Sequence, residues 1–288
     1  MKKLLLTLLF SLPAAAQQQD FSKVEIKATK VAGNVYVLEG QGGNIAATVG
    51  DDGVALVDDQ YAPLAPKIQA ALQKLSAKPV KFVINTHWHG DHTGGNAVFS
   101  ETATLIANAN VRKRLETGAK TLFGDVPPAP RAALPVVTFD QGLSLFWNGE
   151  EIKAIHLHAA HTDGDSAVLF TKSNVVHCGD VFFNGMFPFI DLGSGGSVKG
   201  YLAALDEIIA ATPKDAKVIP GHGPVGTIED LKHFRGSLEE VFAAVEKAKK
   251  AGKTVDQMKA EKILARWDAM GQGFIKTDMF IGLIAPGL

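Results

Sequence analysis

Short hydrophobic runs alternate with glycine- and aspartate-rich turns in the first part of the chain. Three apolar or β-branched runs cover residues 34–39, 44–49 and 53–58, and Gly-Gly and Asp-Asp-Gly turns separate them. This pattern is typical of strands joined by tight turns, so we expect an antiparallel meander.

A helix and a buried strand are predicted next. After Pro63, leucine and isoleucine recur at positions 64, 68, 72 and 75, which places them on one face of a helix. The mostly apolar run Val80–Asn85 then leads directly into a histidine-rich segment, residues 86–92. Polar side chains at the end of a buried strand favour a functional site, because α/β proteins place their chemistry at strand ends.

The rest of the chain repeats this interleaving of strands and helices. Strands are predicted at 103–107, 136–139, 143–147, 152–157, 167–171, 175–178 and 217–220, helices at 110–116 and around 201–209, and a proline-rich loop at 121–135. Thr227 with Asp230, and Thr254 with Gln257, have the spacing of capping boxes, which predicts C-terminal helices within about 227–288. Two similar strand-rich halves favour an α+β fold of two sheets packed face to face, with helices outside.

The N-terminus has the pattern of a secretory signal. Lys2 and Lys3 precede an apolar run at residues 4–10 that is too short to span a bilayer, and Ala14 and Ala16 suit a cleavage site. We expect cleavage after Ala16, a periplasmic or secreted protein without a stable membrane anchor, and a single domain over residues 17–288. A buried N-terminal helix or a retained anchor is the alternative.

Composition narrows the class of protein. The chain has 29 basic and 30 acidic residues, a net charge of −1, and 46% of its 288 residues are hydrophobic, which excludes a disordered or collagen-like chain. This charge gives no electrostatic footprint for nucleic acid, so the expected partner is a small-molecule substrate. The single cysteine excludes an intrachain disulfide, and loss of the signal leaves 27 basic against 30 acidic residues, a net charge of −3.

The candidate chemistry is concentrated in residues 87–92. His87 and His89 project to the same side of an extended segment and can reach one metal ion, while Asp91 and His92 turn toward a neighbouring point. Imidazole together with carboxylate suits a borderline cation such as zinc. The alternative is a polar turn whose histidines bond to the backbone, but four potential ligands within six residues favour metal binding.

Residues 86–96, Thr-His-Trp-His-Gly-Asp-His-Thr-Gly-Gly-Asn, resemble the His-x-His-x-Asp-His signature of the metallo-β-lactamase superfamily. Further elements of that family follow in the expected order at residues 160–166, 177–180 and 220–223. The resemblance thus runs from about residue 34 to about residue 223. It implies a four-layer αββα sandwich whose active site lies at one edge between the two sheets.

The resemblance also implies a dinuclear metal site. It assigns His87, His89 and His161 to the first metal, Asp91, His92 and His222 to the second, and Asp180 to both. Two Zn²⁺ ions per chain are expected, with iron or manganese as alternatives. Two such ions lower the pKa of a shared water toward about 7, so that hydroxide attacks a carbonyl. Asp91 would orient this nucleophile and is the candidate catalytic carboxylate.

The remaining histidines and the cysteine are interpreted as structural. Cys178 lies two residues before Asp180, on the same strand face, where it could compete for metal. Unpaired cysteine is, however, among the most buried residue types, which favours a small hydrophobic role. The histidines interpreted as strand, rim or structural residues are His156, His158, His177 and His233.

The expected reaction is hydrolysis of a cyclic amide or ester, with β-lactams as one candidate class. Against a β-lactam, Phe183 stands where cysteine-bearing β-lactamases of the family carry a substrate-binding lysine. An aspartate at position 180 is shared with lactonases and thioesterases of the superfamily. The sequence also allows an iron-dependent oxidoreductase or a non-catalytic metal-binding module.

An apolar pocket is predicted beside the metals, with ordinary core packing as the alternative. The aromatic candidates are Trp88, Phe123, Phe182, Phe183, Phe187 and Phe189. Asn184 is a candidate polar contact. The predicted substrate-binding residues are therefore Trp88, Phe183 and Asn184.

Overall fold

The computed structural model describes residues 20–122 and 124–288. The predicted signal peptide, residues 1–16, lies outside the described residues. The strands are β1 (Lys27–Ala32), β2 (Val35–Glu39), β3 (Ile45–Gly50), β4 (Gly53–Val57), β5 (Val80–Asn85), β6 (Thr104–Asn108), β7 (Ala119–Thr121), β8 (Gly124–Val126), β9 (Val137–Phe139), β10 (Gly142–Trp147), β11 (Glu150–His156), β12 (Ser166–Phe170), β13 (Val175–His177), β14 (Lys217–Ile219) and β15 (Gly226–Thr227).

Helices cover the outer faces of the sheets and fill the connections. The α-helices are α1 (Ala65–Gln73), α2 (Gly90–Thr93), α3 (Asn96–Phe99), α4 (Ala109–Thr117), α5 (Val198–Ala211), α6 (Ile228–Lys250), α7 (Val255–Ala260) and α8 (Thr277–Ile284). Short 3-10 turns occupy Ala62–Leu64, Arg131–Ala133, Gly179–Val181, Leu192–Ser194, Ala265–Gln272 and Ala285–Gly287. Across residues 20–122 and 124–288, no helix is both long and apolar enough to cross a bilayer.

The strands form two large sheets and one small hairpin. The first sheet has the order β1-β2-β3-β4-β5-β6-β9 and is antiparallel from β1 to β4, then parallel from β4 to β9. The second has the order β10-β11-β12-β13-β14-β15, and only β13 and β14 run parallel within it. β7 and β8 pair with each other alone.

The alternation of side chains along the strands builds three layers of core. Ile84 of β5 points toward the second sheet and packs in one buried cluster with Phe170 of β12. Its neighbour Val83 points to the other face and packs with Ile68 of α1. Leu205 of α5 lies in the buried cluster that covers the outer face of the second sheet. Because successive residues of a strand face opposite sides, this arrangement confirms the predicted αββα sandwich.

Two local predictions differ from the structure. The sequence pattern does not predict β1, because it is an edge strand whose residues are exposed or half-buried and therefore lack an apolar run. The predicted loop at 121–135 instead contains the hairpin end of β7, all of β8 and a 3-10 turn at Arg131–Ala133. All three β8 residues are exposed, so hydrophobic alternation could not indicate this strand. Both predicted capping boxes are present, at the starts of α6 and α7.

Candidate metal centre

The candidate ligands lie at the ends of four strands. Residues 87–92 follow β5, and His161, Asp180 and His222 follow β11, β13 and β14. These strand ends meet at one edge between the sheets, where side chains can converge without belonging to the core. Close approach also explains a glycine beside His222, since a Cβ on Gly221 would lie 2.1 Å from Oδ1 of Asp180.

The structure brings all seven side chains together in two groups. The first cluster is His87, His89, His161 and Asp180, and the second cluster is Asp91, His92 and His222. Within each cluster, one donor atom per residue lies within 4.8 Å of every other. This grouping is the one that the family resemblance implies.

Asp180 lies between the two clusters and presents one oxygen to each. Its Oδ2 is 3.6 Å from Nε2 of His161 and 3.9 Å from Nε2 of His87. Its Oδ1 is 3.0 Å from Nε2 of His92 and 3.4 Å from Nε2 of His222. A carboxylate in this position can serve both clusters at once.

Burial and charge set the protonation of the donors. Burial lowers the pKa of His87 well below its ordinary value and that of His161 to about 4, so both imidazoles are neutral, as metal binding requires. Burial alone would raise the pKa of Asp91, but His92 and His222 hold it at about 2. Burial alone would lower the pKa of His222, but Asp180 and Asp91 raise it to about 9. The carboxylates therefore stay ionised and favour a cation beside them.

Asp58 lies outside the two clusters and is connected to both by hydrogen bonds. Asp58 is fully buried directly after β4, and its backbone has a positive φ of 64°. Nδ1 of His92 donates to Oδ2 of Asp58 at 2.7 Å, and the backbone N–H and hydroxyl of Thr86 donate to the same carboxylate at 2.7 Å each. The Thr86 hydroxyl in turn accepts from Nδ1 of His87 at 3.0 Å. These bonds fix the tautomers of His87 and His92 and leave Nε2 of each directed at the clusters.

Asp191 supports the first cluster in the same way. Nε2 of His89 donates to Oδ2 of Asp191 at 3.0 Å, while Oδ1 accepts from the backbone N–H of Ser194 at 3.1 Å. The backbone N–H of Asp191 also donates to the carbonyl of His161 at 2.9 Å. Nδ1 of His89 is thereby left to face Nε2 of His161 at 2.8 Å.

Replacing Asp191 by asparagine should weaken metal binding at the first cluster by about tenfold or more, in line with lost outer hydrogen bonds at other metal sites. An asparagine has one acceptor oxygen, so either His89 or the Ser194 backbone loses its partner. Competition against a chromophoric chelator measures the affinity, with Asp140→Asn on the exposed surface as the matched control. Equal affinity in the two variants would contradict the positioning role of Asp191.

The donor set fits a divalent cation such as zinc. Nε2 of His87 is buried and makes no hydrogen bond to the protein, an arrangement that is costly unless another group occupies the space beside it. Imidazole nitrogens and carboxylate oxygens are the ligands that borderline cations prefer. The residues present therefore fit the dinuclear site expected from the sequence.

A cavity of about 690 Å³ opens onto both clusters. Its lining residues are Gly42, Tyr61, Trp88, His89, Gly90, Asp91, Thr121, Val126, Asp180, Phe183, Met186, Phe187, Phe189, His222, Phe274 and Ile275. Its size falls in the range of small-molecule sites, and its walls away from the clusters are largely aromatic and aliphatic.

Only some of the residues predicted to form the apolar pocket line the cavity. Trp88, Phe183, Phe187 and Phe189 line the cavity. Phe182 instead packs in the core, with its ring centroid 5.3 Å from that of Phe234. Asn184 is not among the lining residues, and its amide donates to the carbonyl of Pro224 at 2.9 Å. Phe123 lies outside the described residues.

The cysteine and the other histidines stand apart from the two clusters. Cys178 is fully buried, and burial raises the pKa of its thiol, as expected of a small core residue. His177 is buried and donates through Nε2 to the carbonyl of Asn44 at 2.9 Å. His156 donates through Nδ1 to the carbonyl of Asp165 at 2.9 Å, and the ring of His158 meets that of His156 edge to face with centroids 4.3 Å apart.

The sequence pattern does not single out Asp58, Asp191 or the cavity residues beyond position 222. An acidic residue directly after the strand 53–57 is a usable signal for Asp58, since polar groups at strand ends are the criterion for the other ligands. Nothing in the local sequence distinguishes Asp191 or Phe274, because their roles depend on chain segments that meet only in the fold.

Comparison with known proteins agrees with this architecture. Residues 28–222 match the model of the metallo-beta-lactamase superfamily. The chain is 23% identical over 255 residues to a protein of Bacteroides fragilis named metallo-beta-lactamase type 2, covering 85% of this chain and 98% of that one. It is 27% identical over 182 residues to a hydroxyacylglutathione hydrolase of Nitrosococcus oceani, covering 60% and 58% respectively.

A solved structure shares the fold. The DIM-1 metallo-beta-lactamase superimposes with a TM-score of 0.62 at 18% identity, over 76% of this chain and all of that one. The family match covers residues 28–222, so it contains all seven residues of the two clusters. The chain therefore belongs to the metallo-β-lactamase superfamily and is a metal-dependent hydrolase.

Proposed function

We propose that the protein is an exported dinuclear zinc hydrolase that cleaves a carbonyl-centred bond in a cyclic amide or ester. The observation that carries this proposal is the position of Asp180, whose two oxygens face the two clusters separately. A carboxylate shared between two sets of ligands compensates the charge of two adjacent cations, whereas a single structural zinc needs only four closed ligands.

The two clusters would hold the metals, and the chain's own residues would prepare the reaction around them. When bound, a zinc pair lowers the pKa of water and polarises a carbonyl oxygen. Asp91 lines the cavity with 21% of its side chain exposed, and its Oδ2 lies 3.3 Å from Nε2 of His222. From there it orients the attacking water and accepts its proton. The proton then passes to the nitrogen or oxygen released when the bond to the carbonyl carbon breaks.

The cavity supports a small-molecule substrate, and the named relatives suggest candidate classes. The Bacteroides fragilis relative is named as a β-lactamase and the Nitrosococcus oceani relative as a hydroxyacylglutathione hydrolase. A lactonase or thioesterase is therefore the second candidate function, and an iron-dependent oxidoreductase on this scaffold is the third. A panel of one β-lactam, one lactone and one thioester on the zinc-loaded protein separates the hydrolases.

Further measurements test the proposed zinc content and the proposed export with signal cleavage. The exported protein should begin at Gln17 by intact mass, contain about two zinc ions per chain by elemental analysis, and lose turnover on chelation and regain it with zinc. Iron at two per chain, without hydrolysis of any panel substrate, would overturn the hydrolase assignment. An uncleaved chain retained in the cytoplasm would overturn export.

A further inference from the structure

The cavity beside the metal centre has a distinctive charge distribution. Among the described residues that line it, none is lysine or arginine. Its ionisable side chains are His89, Asp91, Asp180 and His222 of the two clusters, together with Tyr61. Burial raises the pKa of Tyr61 to about 12, so its phenol is neutral. All charge that the described lining residues offer a ligand thus belongs to the two clusters, where the reacting carbonyl must be.

Aromatic and aliphatic side chains form most of the remaining cavity lining. Phe189 lies beside the first cluster, with its ring centroid 5.9 Å from that of His89, and Phe183 stacks on His222 at 5.1 Å and 19°. Phe187 also lines the cavity, and its ring stacks on that of Phe280 in α8 with centroids 4.4 Å apart. Aromatic ring faces carry negative charge density and therefore repel anions, and contact with them removes apolar surface from water.

Two segments outside the two large sheets contribute further residues to this apolar lining. The hairpin contributes Thr121 of β7 and Val126 of β8, and the segment before α8 contributes Phe274 and Ile275. Phe274 is 71% exposed at the rim. A large apolar side chain placed at the mouth of an apolar cavity is typical of a surface that meets an apolar ligand.

We propose that the substrate is an uncharged ester or lactone bearing an extended apolar group, and that anionic substrates are excluded. This inference rests on the proposed function, because it names the substrate class of the same site. An anionic group remote from the reacting carbonyl would be buried against aromatic walls without a cationic partner, which is strongly unfavourable. An apolar group in the same place gains free energy with each methylene removed from water.

A matched pair of fluorescent probes tests the cavity directly. N-phenylnaphthylamine and anilinonaphthalene sulfonate share one ring skeleton and differ in a sulfonate. Titrated into the zinc-loaded protein, the neutral probe should bind at least about tenfold more tightly. In Phe274→Arg, a cation at the rim should reduce this ratio about tenfold. Phe146→Arg, the same change at a 74% exposed position of β10 outside the cavity lining, should leave the ratio unchanged.

Equal or tighter binding of the sulfonate by the unmodified protein would overturn the inference, as would a ratio that Phe274→Arg does not move. Kinetics on two para-nitrophenyl esters, the hexanoate and the adipate monoester with its terminal carboxylate, separate the inference from the proposed function. Hydrolysis of both at equal kcat/KM would overturn the neutral preference and retain the hydrolase. Neutral-probe preference without hydrolysis of any ester, lactone, thioester or β-lactam would retain the cavity specificity and overturn the hydrolase.

Discussion

Asp91→Asn is expected to lower kcat/KM by about a thousandfold, the middle of the range for loss of a general acid–base group. Asparagine preserves the shape of the side chain but can neither accept a proton nor balance the positive charge of a cation held by the second cluster. The side chain is partly exposed to the cavity rather than packed in the core, so the fold should tolerate the change. Turnover of the best panel substrate at saturating zinc is the measurement.

The control for this variant is Asp215→Asn, which removes the same charge from an exposed turn remote from the clusters. Circular dichroism and Tm establish that both variants are folded, and elemental analysis establishes that both carry zinc. If a folded, zinc-loaded Asp91→Asn kept the turnover of Asp215→Asn, Asp91 would have no part in the mechanism.

Asp58→Asn is expected to lower both stability and metal affinity, although Asp58 is not in either cluster. Its carboxylate accepts three hydrogen bonds, two from Thr86 and one from His92, in a fully buried position. Asparagine presents an N–H where one of these donors needs an acceptor. We expect a loss of about 3 kcal/mol in the free energy of unfolding and a roughly ten- to hundredfold loss in affinity at the second cluster.

Two measurements separate these effects of Asp58→Asn. Denaturant unfolding of the metal-free protein reports the structural cost alone, and chelator competition at a temperature where the variant is folded reports the effect on His92. Asp215→Asn again provides the surface control for the unfolding experiment, because its side chain is exposed. Wild-type affinity in a destabilised Asp58→Asn would show that Asp58 serves the fold and does not position His92.

Local patterns predict the layered fold and the candidate ligands within residues 87–92, whereas His161, Asp180 and His222 are assigned through the family resemblance. Buried strands such as Val80–Asn85 have mostly apolar runs, and the candidate ligands of residues 87–92 follow one of them directly. The supporting carboxylates are harder to predict. Asp191 reaches His89 across 102 positions of sequence, and only the packing of the two sheets brings such residues together.

The substrate cavity is predicted only in part for the same reason. Trp88, Phe183, Phe187 and Phe189 are near the ligands in sequence and could be proposed, but apolar residues are equally suited to a core. Phe182 illustrates the ambiguity, because it neighbours Phe183 and faces Phe234 in the core instead. Adjacent positions point in different directions, and the composition of the segment does not reveal which one meets the substrate.

The stacking of Phe187 on Phe280 links the shape of the cavity to the C-terminal helices, where mutations can change substrate selectivity. All seven candidate metal ligands lie at or before residue 222. Phe274, Ile275 and helix α8, which packs against Phe187, lie after it. Part of the binding surface is thus encoded apart from the reaction centre, in the stretch of chain after residue 222. Mutation or exchange of the C-terminal helices can remodel the binding surface while the reaction centre is inherited unchanged.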